Sequence, residues 1–481
     1  MSNYSFPTGA ASLFFIQIFS TLAYSVLYVT LVLFAIQALH VSAVEANHIM
    51  ATFVAFNFAL HLLGGFFGGR FLSFRFLFLI GMVLQTIGCL LIAKLNLHAF
   101  MLGMAIFLVG SGMDLPCINC MIAQLYQPEN KERDYAFLWT YSGMNIGFFI
   151  GVTIAGLFQS KQEFESLFTF TSIINLIALL LTLISWKKLA DINTQLTKPS
   201  ITHFSRYLRA VFAFIFIAII IYLIQIILTH ALFSTEIILT LGVLMCLIIA
   251  YITLSRRNKI ERKKLLAYSI FAIASLVFYT IYELIPMGLT LFLERNVNRH
   301  VVDMTIPTAW FLNINTVIII VGCPLVAHFT HQFRKKGFDI QHGLFFSIGL
   351  LLIGTAIIIL PIGIYFADAA SGLISVMWPL ITYILLALAE IALSPIGYAV
   401  VSELAPPSLR GLLMGVWLLI SGVAAIFSNI FSNKALGKAQ SISPLISNPS
   451  YSHTFLLLGM SGIAMGVVLW MLRPVLTKLT A

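Results

Sequence analysis

Long apolar stretches alternate with short polar connections along nearly the whole chain of 481 residues. A helix needs about 20 predominantly apolar residues to cross the hydrocarbon core of a bilayer. By this rule the sequence predicts fourteen transmembrane helices, at 13–39, 46–68, 74–94, 98–124, 133–157, 164–186, 207–229, 234–255, 264–293, 307–329, 340–361, 375–402, 409–433 and 452–472. The pattern is that of an all-α polytopic membrane protein, and the polar stretch 438–450 is expected to be an external, mobile loop.

Two polar, basic connections divide this series of spans into three parts, at 187–206 and at 256–264. The two spans between them consist mainly of Ile, Leu and Phe, which is typical of helices that face lipid. Two six-helix halves around a site near the membrane midplane are the plan of many secondary transporters. We therefore predict an N-terminal six-helix bundle at 13–186, connectors with two inserted helices at 187–263, and a C-terminal six-helix bundle at 264–473.

The basic residues indicate how the chain is oriented. With fourteen spans both termini lie on one side, and 21 of the 27 Lys and Arg residues fall on that side. The positive-inside rule then predicts that both termini are cytoplasmic. Short loops suit a multi-pass protein of a bacterial cytoplasmic membrane, with lipid as its surroundings, and we expect a monomer.

The composition excludes a soluble domain and argues against a nucleic-acid-binding protein. Hydrophobic residues make up 60% of the chain and charged residues 9%, whereas about a quarter of the residues in ordinary globular domains are charged. The net charge of +10 is spread over many short loops instead of forming one basic surface. We expect no nucleic-acid partner.

Three acidic residues lie deep inside predicted spans: Asp114, Glu283 and Glu390. A carboxylate at that depth is unfavourable unless it is protonated, paired or exposed to a water-filled cavity, so such residues commonly mark ion or substrate pathways. The alternative is a neutral acid that hydrogen-bonds a neighbouring helix. Ser394 follows Glu390 by one helical turn on the same face, and Pro286 follows Glu283 closely. Any cavity here would be lined by acids, aromatic rings and amides, because no lysine or arginine lies deep in a predicted span.

Motifs for other classes of protein are absent from the sequence. The chain has no H-E-x-x-H, no G-x-S-x-G and no Walker motif, so neither an enzyme nor an ATP-driven pump is indicated. Cys117 and Cys120 have the spacing of a redox or metal pair but lie in an apolar span without further ligands, which favours packing. We expect no catalytic residues, no metal and no cofactor.

Several segments now resemble the proton-dependent oligopeptide transporter family, a branch of the major facilitator superfamily. The segment SPIGYAVVSELAPPSLRGLLMGVW follows Glu390, which stands where that family has a glutamate on helix 10. The segments IPTAWFLNINTV, TYSGMNIGFF and GSGMDLPCIN resemble its motifs on helices 8, 5 and 4. The resemblance covers nearly the whole chain and includes the two inserted helices. It implies alternating access, with a peptide bound between the halves and proton entry driving uptake.

The sequence departs from that family where cations are usual. The helix-1 motif E-x-x-E-R is replaced by the stretch from Gln17 to Thr21, a second arginine by Tyr28, and the helix-4 lysine by Leu115. In the family these cations are thought to couple protons and to hold the carboxylate of the peptide. A site with acids and no cation favours an ammonium group over a carboxylate. We therefore expect the substrate's amine to be recognised and its other end to be neutral, positive or held by amides and hydroxyls.

These considerations predict a secondary active transporter for di- and tripeptides or similar amine-bearing molecules, coupled to protons. The alternatives are a proton-independent facilitator or exchanger for another amine or cationic metabolite, and a transporter-like receptor that does not transport. The candidate substrate-binding residues are Gln17, Tyr28, Tyr141, Asn145, Trp310, Asn315, Glu390, Ser394 and Trp417. The candidate proton-coupling residues are Asp114, Glu283 and Glu390.

Overall fold

The computed structural model describes residues 10–126, 131–192, 194–199, 201–335, 342–406, 409–437 and 442–480. Nearly all of them are helical. The first eight helices are α1 Ala10–Gln37, α2 Ala43–Phe67, α3 Phe74–Ile92, α4 Leu97–Leu125, α5 Lys131–Gln159, α6 Phe164–Ile184, α7 His203–Thr229 and α8 Ala231–Ser255. The remaining helices are α9 Lys259–Tyr282, α10 Thr290–Asn296, α11 Trp310–Lys335, α12 His342–Tyr365, α13 Met377–Leu404, α14 Arg410–Ala435 and α15 Pro444–Thr480.

The lengths of these helices match the predicted spans. Among the described residues, thirteen segments are long and apolar enough to cross a membrane, which indicates a multi-pass membrane protein. The ninth of them, Lys259–Asn296, joins α9 to α10 through a turn of π-helix at Ile285–Leu289. The span predicted at 307–329 corresponds to α11, whose apolar part is Trp310–Val326.

Short polar side chains begin several of the helices. The side chain of Asn96 accepts hydrogen bonds from the backbone nitrogens of His98 and Ala99 before α4, at 2.9 and 3.2 Å. Asn258 does the same before α9 for Ile260 at 3.0 Å. The first turn of a helix has backbone N–H groups without partners inside the helix, and these side chains supply the missing acceptors.

One predicted loop is wrong. The segment 444–450, expected to be part of a mobile loop, forms the first turns of α15 in the structure. The Asn296 side chain at the end of α10 donates hydrogen bonds to the side chains of Ser447 and Asn448, both at 2.8 Å. Asn448 in turn donates to the backbone oxygen of Gly372 at 2.7 Å. The polar residues that made this segment look like a loop are therefore used in buried contacts.

The helices form two compact units. The first contains the chain up to His40 together with Phe56–Phe233, and the second contains Val41–Ala55 together with the chain from Ser234 onwards. Helix α2 is thus shared, its first half belonging to the second unit. Helix α7 packs on α4 within the first unit. The three-part division predicted from the sequence remains a prediction.

The same order of helix pairing occurs in both units. In the first, α1 packs on α5 and α6, and α3 packs on α4 and α6. In the second, α9 packs on α14 and α15, and α12 packs on α13 and α15. Thus α4 and α13 hold corresponding positions in these two sets of helix pairs.

Small residues allow the closest of these helix pairs to form. A Cβ added at Gly110 on α4 would lie 2.6 Å from the backbone oxygen of Gly81 on α3. Glycine is therefore required at this crossing, because any larger residue would push the two backbones apart. The contact brings the middle of α3 against the part of α4 that carries Asp114.

Short strands connect some helices of the second unit, and they occur in two pairs. Strand β1 (Val297–Asn298) pairs in parallel with β4 (Ile374–Ser375), and β2 (His300–Val301) pairs in antiparallel fashion with β3 (Met304–Thr305).

Candidate functional site

The carboxylate of Glu390 is held by two neutral donors from neighbouring helices of the second unit. The Tyr282 hydroxyl at the end of α9 donates to Glu390 Oε2 at 2.5 Å. The Asn315 amide on α11 donates to the same oxygen at 3.3 Å. Glu390 itself is half-buried on α13, and none of the three ion pairs between described residues involves it. The group is thus a carboxyl set among neutral partners, and within the described part of the chain nothing hydrogen-bonds its Oε1.

The irregular end of α9 positions Tyr282. The helix stops at this residue, and the π-helical turn containing Pro286 follows. Proline cannot donate a backbone hydrogen bond and disfavours a continuous α-helix, which explains the change of helix type here. The ring of Tyr282 also stacks on Phe278, with 6.0 Å between centroids and 12° between planes. The tyrosine hydroxyl is therefore directed from a rigid support.

Glu283 is the next residue along the chain and is buried, with 4% of its surface exposed. Its backbone nitrogen donates to the backbone oxygen of Tyr279 at 2.9 Å, so it closes the last turn of α9. The structure thus places this second acid beside the tyrosine that binds Glu390. Its predicted part in proton coupling remains a prediction.

Asn315 is likewise buried, with 2% of its surface exposed. It lies five residues after Trp310, the first residue of α11, whose backbone nitrogen donates to Pro307 at 3.1 Å. Ser394 is half-buried one turn after Glu390 on α13. The candidates Trp310 and Asn315 lie on α11, and Glu390 and Ser394 lie on α13. These two helices pack against each other.

Trp417 has a different setting from the other candidates of the second unit. Only 2% of its surface is exposed, and its ring lies 6.0 Å from Tyr268 and 6.3 Å from Phe346, centroid to centroid. Tyr268 in turn donates its hydroxyl to the backbone oxygen of Leu413 at 2.9 Å. These contacts make Trp417 part of the packed interior, and its predicted contact with substrate remains a prediction.

The candidates of the first unit mostly interact within their own helices. Gln17 is buried and donates to the Thr21 hydroxyl one turn later at 2.8 Å. Asn145 donates to the backbone oxygen of Tyr141 at 2.9 Å, and the Tyr141 side chain is 45% exposed. Tyr28 is buried against aromatic rings, 5.9 Å from Tyr24 and 6.0 Å from Phe148. Of these four, Tyr141 is the most accessible.

Asp114 is bound to the neighbouring helix α3. Its Oδ2 accepts a hydrogen bond from the side-chain amide of Gln85, and both residues are buried. The other carboxylate oxygen would lie 2.7 Å from a Cβ added at Gly81 on α3. The acid therefore fills the close crossing of α3 and α4. Its predicted role in proton coupling remains a prediction.

Sequence reasoning missed a buried polar network between the first half of α2 and the end of α14. The Asn47 amide donates to Asn433 Oδ1 at 2.9 Å, and Asn433 donates to Asn429 Oδ1 at 2.9 Å. Asn429 also contacts the His48 ring nitrogen Nδ1 at 3.4 Å. Two polar pairs with a four-residue spacing, His48 with Thr52 and Asn429 with Asn433, were a usable signal in these apolar spans.

The donors Tyr282 and Gln85 were also not identified as partners of the acids. Tyr282 is 108 residues from Glu390 in the chain, and Gln85 is a single amide in the apolar span of α3. Among the described residues, no group of three His, Cys, Asp or Glu side chains could hold a metal ion.

Comparison with known proteins identifies the chain's relatives. The family model described as the POT family matches residues 71–445. The dipeptide and tripeptide permease A of Cronobacter turicensis is 25% identical over 488 aligned residues, which cover 100% of this chain and 95% of the permease.

Solved structures agree with that match. A mutant form of the peptide transporter POT in complex with alafosfalin superposes with a TM-score of 0.86 at 21% identity, covering 100% of this chain and 97% of that one. A POT family transporter in complex with 5-aminolevulinic acid superposes with a TM-score of 0.84 at 22% identity, covering 99% and 98%. At such identity these structures establish that the chain shares the fold of POT family transporters. Since the family model covers more than three quarters of the sequence, the chain belongs to the POT family.

Proposed function

We propose that this protein is a secondary active transporter that takes up di- and tripeptides, or similar amine-bearing small molecules, together with protons. Membership of the POT family supports this proposal, as does the name of the Cronobacter relative, a dipeptide and tripeptide permease. The alafosfalin and 5-aminolevulinic acid complexes show that proteins of the same fold accept small organic molecules. Transport would proceed by alternating access.

The arrangement at Glu390 carries the proposal. Tyr282 and Asn315 both donate to Oε2, while Oε1 receives no hydrogen bond from the described residues. Glu390 is half-buried, so its side chain is not wholly enclosed by the packing of the unit. An ammonium group that approaches Oε1 gains a charge-assisted hydrogen bond in surroundings of low polarity, where such a bond is stronger than in water. Glu390 is therefore proposed to bind the amine of the substrate.

A proton and an ammonium ion are alternatives at such a carboxyl group. Without substrate, a proton satisfies the carboxyl at little electrostatic cost, whereas a bound ammonium favours the ionised form. Competition at Glu390 alone would give exchange of a proton for substrate, so uptake together with protons requires a second group that carries a proton while the amine occupies Glu390. Glu283, buried next to Tyr282, is proposed as the second proton-carrying group, whereas the buried contact of Asp114 with Gln85 favours a structural role for this third candidate.

Neutral groups take the place of the family's cations at the other end of the substrate. Gln17 and Tyr28 are buried in α1, and Tyr141 is accessible on α5. An amide or hydroxyl can donate to a carboxylate but adds no full charge, so the carboxyl end should contribute less to affinity than the amine. The same replacement favours the second candidate function, a proton-independent facilitator or exchanger for another amine.

Counterflow in proteoliposomes tests these functions. We expect preloaded vesicles to exchange radiolabelled dialanine, to accept dialanine amide nearly as well, and to reject N-acetyl-dialanine, which has no amine. A pH gradient, inside alkaline, should then concentrate dialanine. Preference for the acetylated over the amidated peptide would refute amine recognition. Exchange without accumulation would identify a facilitator, and binding without exchange would identify a receptor.

The orientation and assembly state are part of the same proposal. Both termini are proposed to be cytoplasmic, in a bacterial cytoplasmic membrane, with the protein acting as a monomer. The distribution of Lys and Arg supports this orientation. Reporter fusions at each terminus measure this orientation, using one reporter that is active only inside the cell and one that is active only outside. The reporter that works inside should be active at both termini. Mass photometry of the purified protein would report its assembly state.

A further inference from the structure

A cleft of about 550 Å³ opens between the end of α14 and the first turns of α15, well removed in sequence from Glu390. It is lined by Asn433, Lys434, Gly437, Pro449, Ser450, His453 and Thr454. All seven belong to the second unit. The volume is within the range of sites that bind small organic ligands, roughly 300–1,000 Å³.

The lining of this α14–α15 cleft is suited to an anion. Lys434 supplies a positive charge with an exposed side chain, and His453 supplies an exposed imidazole. Hydroxyl groups of Ser450 and Thr454 and the amide of Asn433 add hydrogen-bonding groups. None of the described residues that line the cleft is acidic. A carboxylate would therefore find one cation and several neutral donors, with no opposing negative charge.

One of these groups is buried without a partner. Only 1% of the Thr454 surface is exposed, and its hydroxyl makes no hydrogen bond with any described residue. Buried polar groups are nearly always hydrogen-bonded, and one that is not commonly indicates a missing ligand or water. The lining of the cleft thus includes a residue with an unsatisfied buried hydroxyl.

The backbone at the end of α14 keeps the cleft open. Gly437 has φ +71, a left-handed conformation that ends the helix and favours glycine. A Cβ at this position would lie 2.6 Å from the Ser450 hydroxyl oxygen. Glycine is favoured here for two reasons: it adopts the positive φ of the turn, and it has no Cβ that would contact Ser450 on α15.

The cleft also adjoins the buried network that sequence reasoning missed. Asn433 lines the cleft and accepts the hydrogen bond from Asn47 at 2.9 Å. A ligand bound in the cleft would therefore contact Asn433, the residue that hydrogen-bonds the first half of α2 from α14. This gives the site a physical connection to a helix that the two units share.

From these observations we infer that the α14–α15 cleft is a binding site for small organic carboxylates, with Lys434 as the cation and Thr454 and Asn433 as donors. The site is separate from Glu390 and recognises the opposite charge. It does not depend on the proposed function, because a carboxylate can bind here whether or not peptides are transported.

N-acetyl-dialanine is the probe that separates the two sites, because it carries a carboxylate but no amine. Binding is measured by calorimetry on the full-length protein in nanodiscs of phosphatidylcholine. We expect saturable binding that Lys434→Gln weakens about tenfold, as for the loss of one charge-assisted hydrogen bond. Lys434→Arg should retain most of the affinity, and Thr454→Val should weaken it severalfold.

Matched controls decide the outcome. Lys94→Gln removes another exposed lysine, in the first unit, and should change nothing. Glu390→Gln should leave probe binding intact even if it abolishes dialanine exchange, so a failure of the proposed function is distinguishable from a failure of this one. Equal binding of N-acetyl-dialanine amide, or equal effects of Lys434→Gln and Lys94→Gln, would overturn the assignment.

A lipid headgroup could offer similar negative charge. The titration is therefore repeated in nanodiscs that also contain phosphatidylglycerol. Unchanged affinity supports a site for soluble carboxylates. Suppose instead that phosphatidylglycerol abolishes binding of the probe and that Lys434→Gln removes this effect of the lipid. That result would assign the cleft to anionic lipid and contradict the inference. Melting temperatures of all variants show whether each one is folded.

Discussion

Asp114 and Glu390 lie on corresponding helices of the two units, and their surroundings differ. Asp114 on α4 is fully buried and accepts from Gln85 at the crossing with α3. Glu390 on α13 is half-buried and accepts from Tyr282 and Asn315 on two other helices. One acid thus joins a pair of helices within its unit, whereas the other accepts two hydrogen bonds on Oε2 and none from a described residue on Oε1. Depth in the membrane alone does not distinguish these uses; the direction of the side chain does.

The largest effect should follow from Glu390→Gln. If this carboxyl binds the substrate's amine, the neutral amide loses the charge-assisted interaction, and dialanine affinity should fall about 30-fold or more. Calorimetry with dialanine and counterflow both measure it. Glu403→Gln is the matched control, because Glu403 is an exposed acid near the end of the same helix, 2.8 Å from His342. Equal losses in the two variants would place the amine elsewhere.

Asp114→Ala should act on stability instead. Removing the acid leaves the buried Gln85 amide without its acceptor, which costs about 1–3 kcal/mol of unfolding free energy. We expect a lower melting temperature in detergent, with proton-driven uptake per folded molecule unchanged. Gln85→Ala is the companion variant, and the double variant should be little worse than either single one. Loss of accumulation with intact counterflow would instead make Asp114 a proton-coupling residue, and the contrast between the two units would disappear.

Tyr282→Phe sharpens the comparison further. It removes one of the two hydrogen bonds to Glu390 Oε2 while keeping the ring that stacks on Phe278. We expect dialanine affinity to fall by about tenfold, because a hydrogen bond to a charged group contributes at least about 1.5 kcal/mol and Asn315 still donates to the same oxygen. Tyr279→Phe, one turn earlier on α9, serves as the control. Unchanged affinity for Tyr282→Phe would show that the tyrosine does not position Glu390.

Asn433→Leu should have the smallest effect. It breaks the contact between Asn47 and Asn433, a hydrogen bond between neutral groups that contributes about 1 kcal/mol. The melting temperature should fall slightly, and a cysteine placed at the buried Ala51, one turn after Asn47 on α2, should react faster with a small thiol reagent. Asn47→Leu should reproduce the drop in melting temperature. An unchanged reaction rate at position 51 would show that this network does not hold α2 in place.

The sequence predicted the helices well because each span must bury its backbone hydrogen bonds within itself, and its apolar length is directly readable. It also placed Glu390, Asn315 and Ser394 on two helices that do pack together. It failed at 444–450, where polar residues indicated a loop but instead bind Asn296 and Gly372. Polar residues in a membrane protein indicate either water or a buried partner, and the local pattern does not separate these.

What the sequence alone determined is the set of spans and the depth of three acids. Only the tertiary structure decided which partner each acid has. Tyr282 and Glu390 are 108 residues apart in the chain, and Asn47 and Asn433 are 386 apart. Such contacts depend on the rotation of each helix about its axis, and the packing of neighbouring helices sets that rotation.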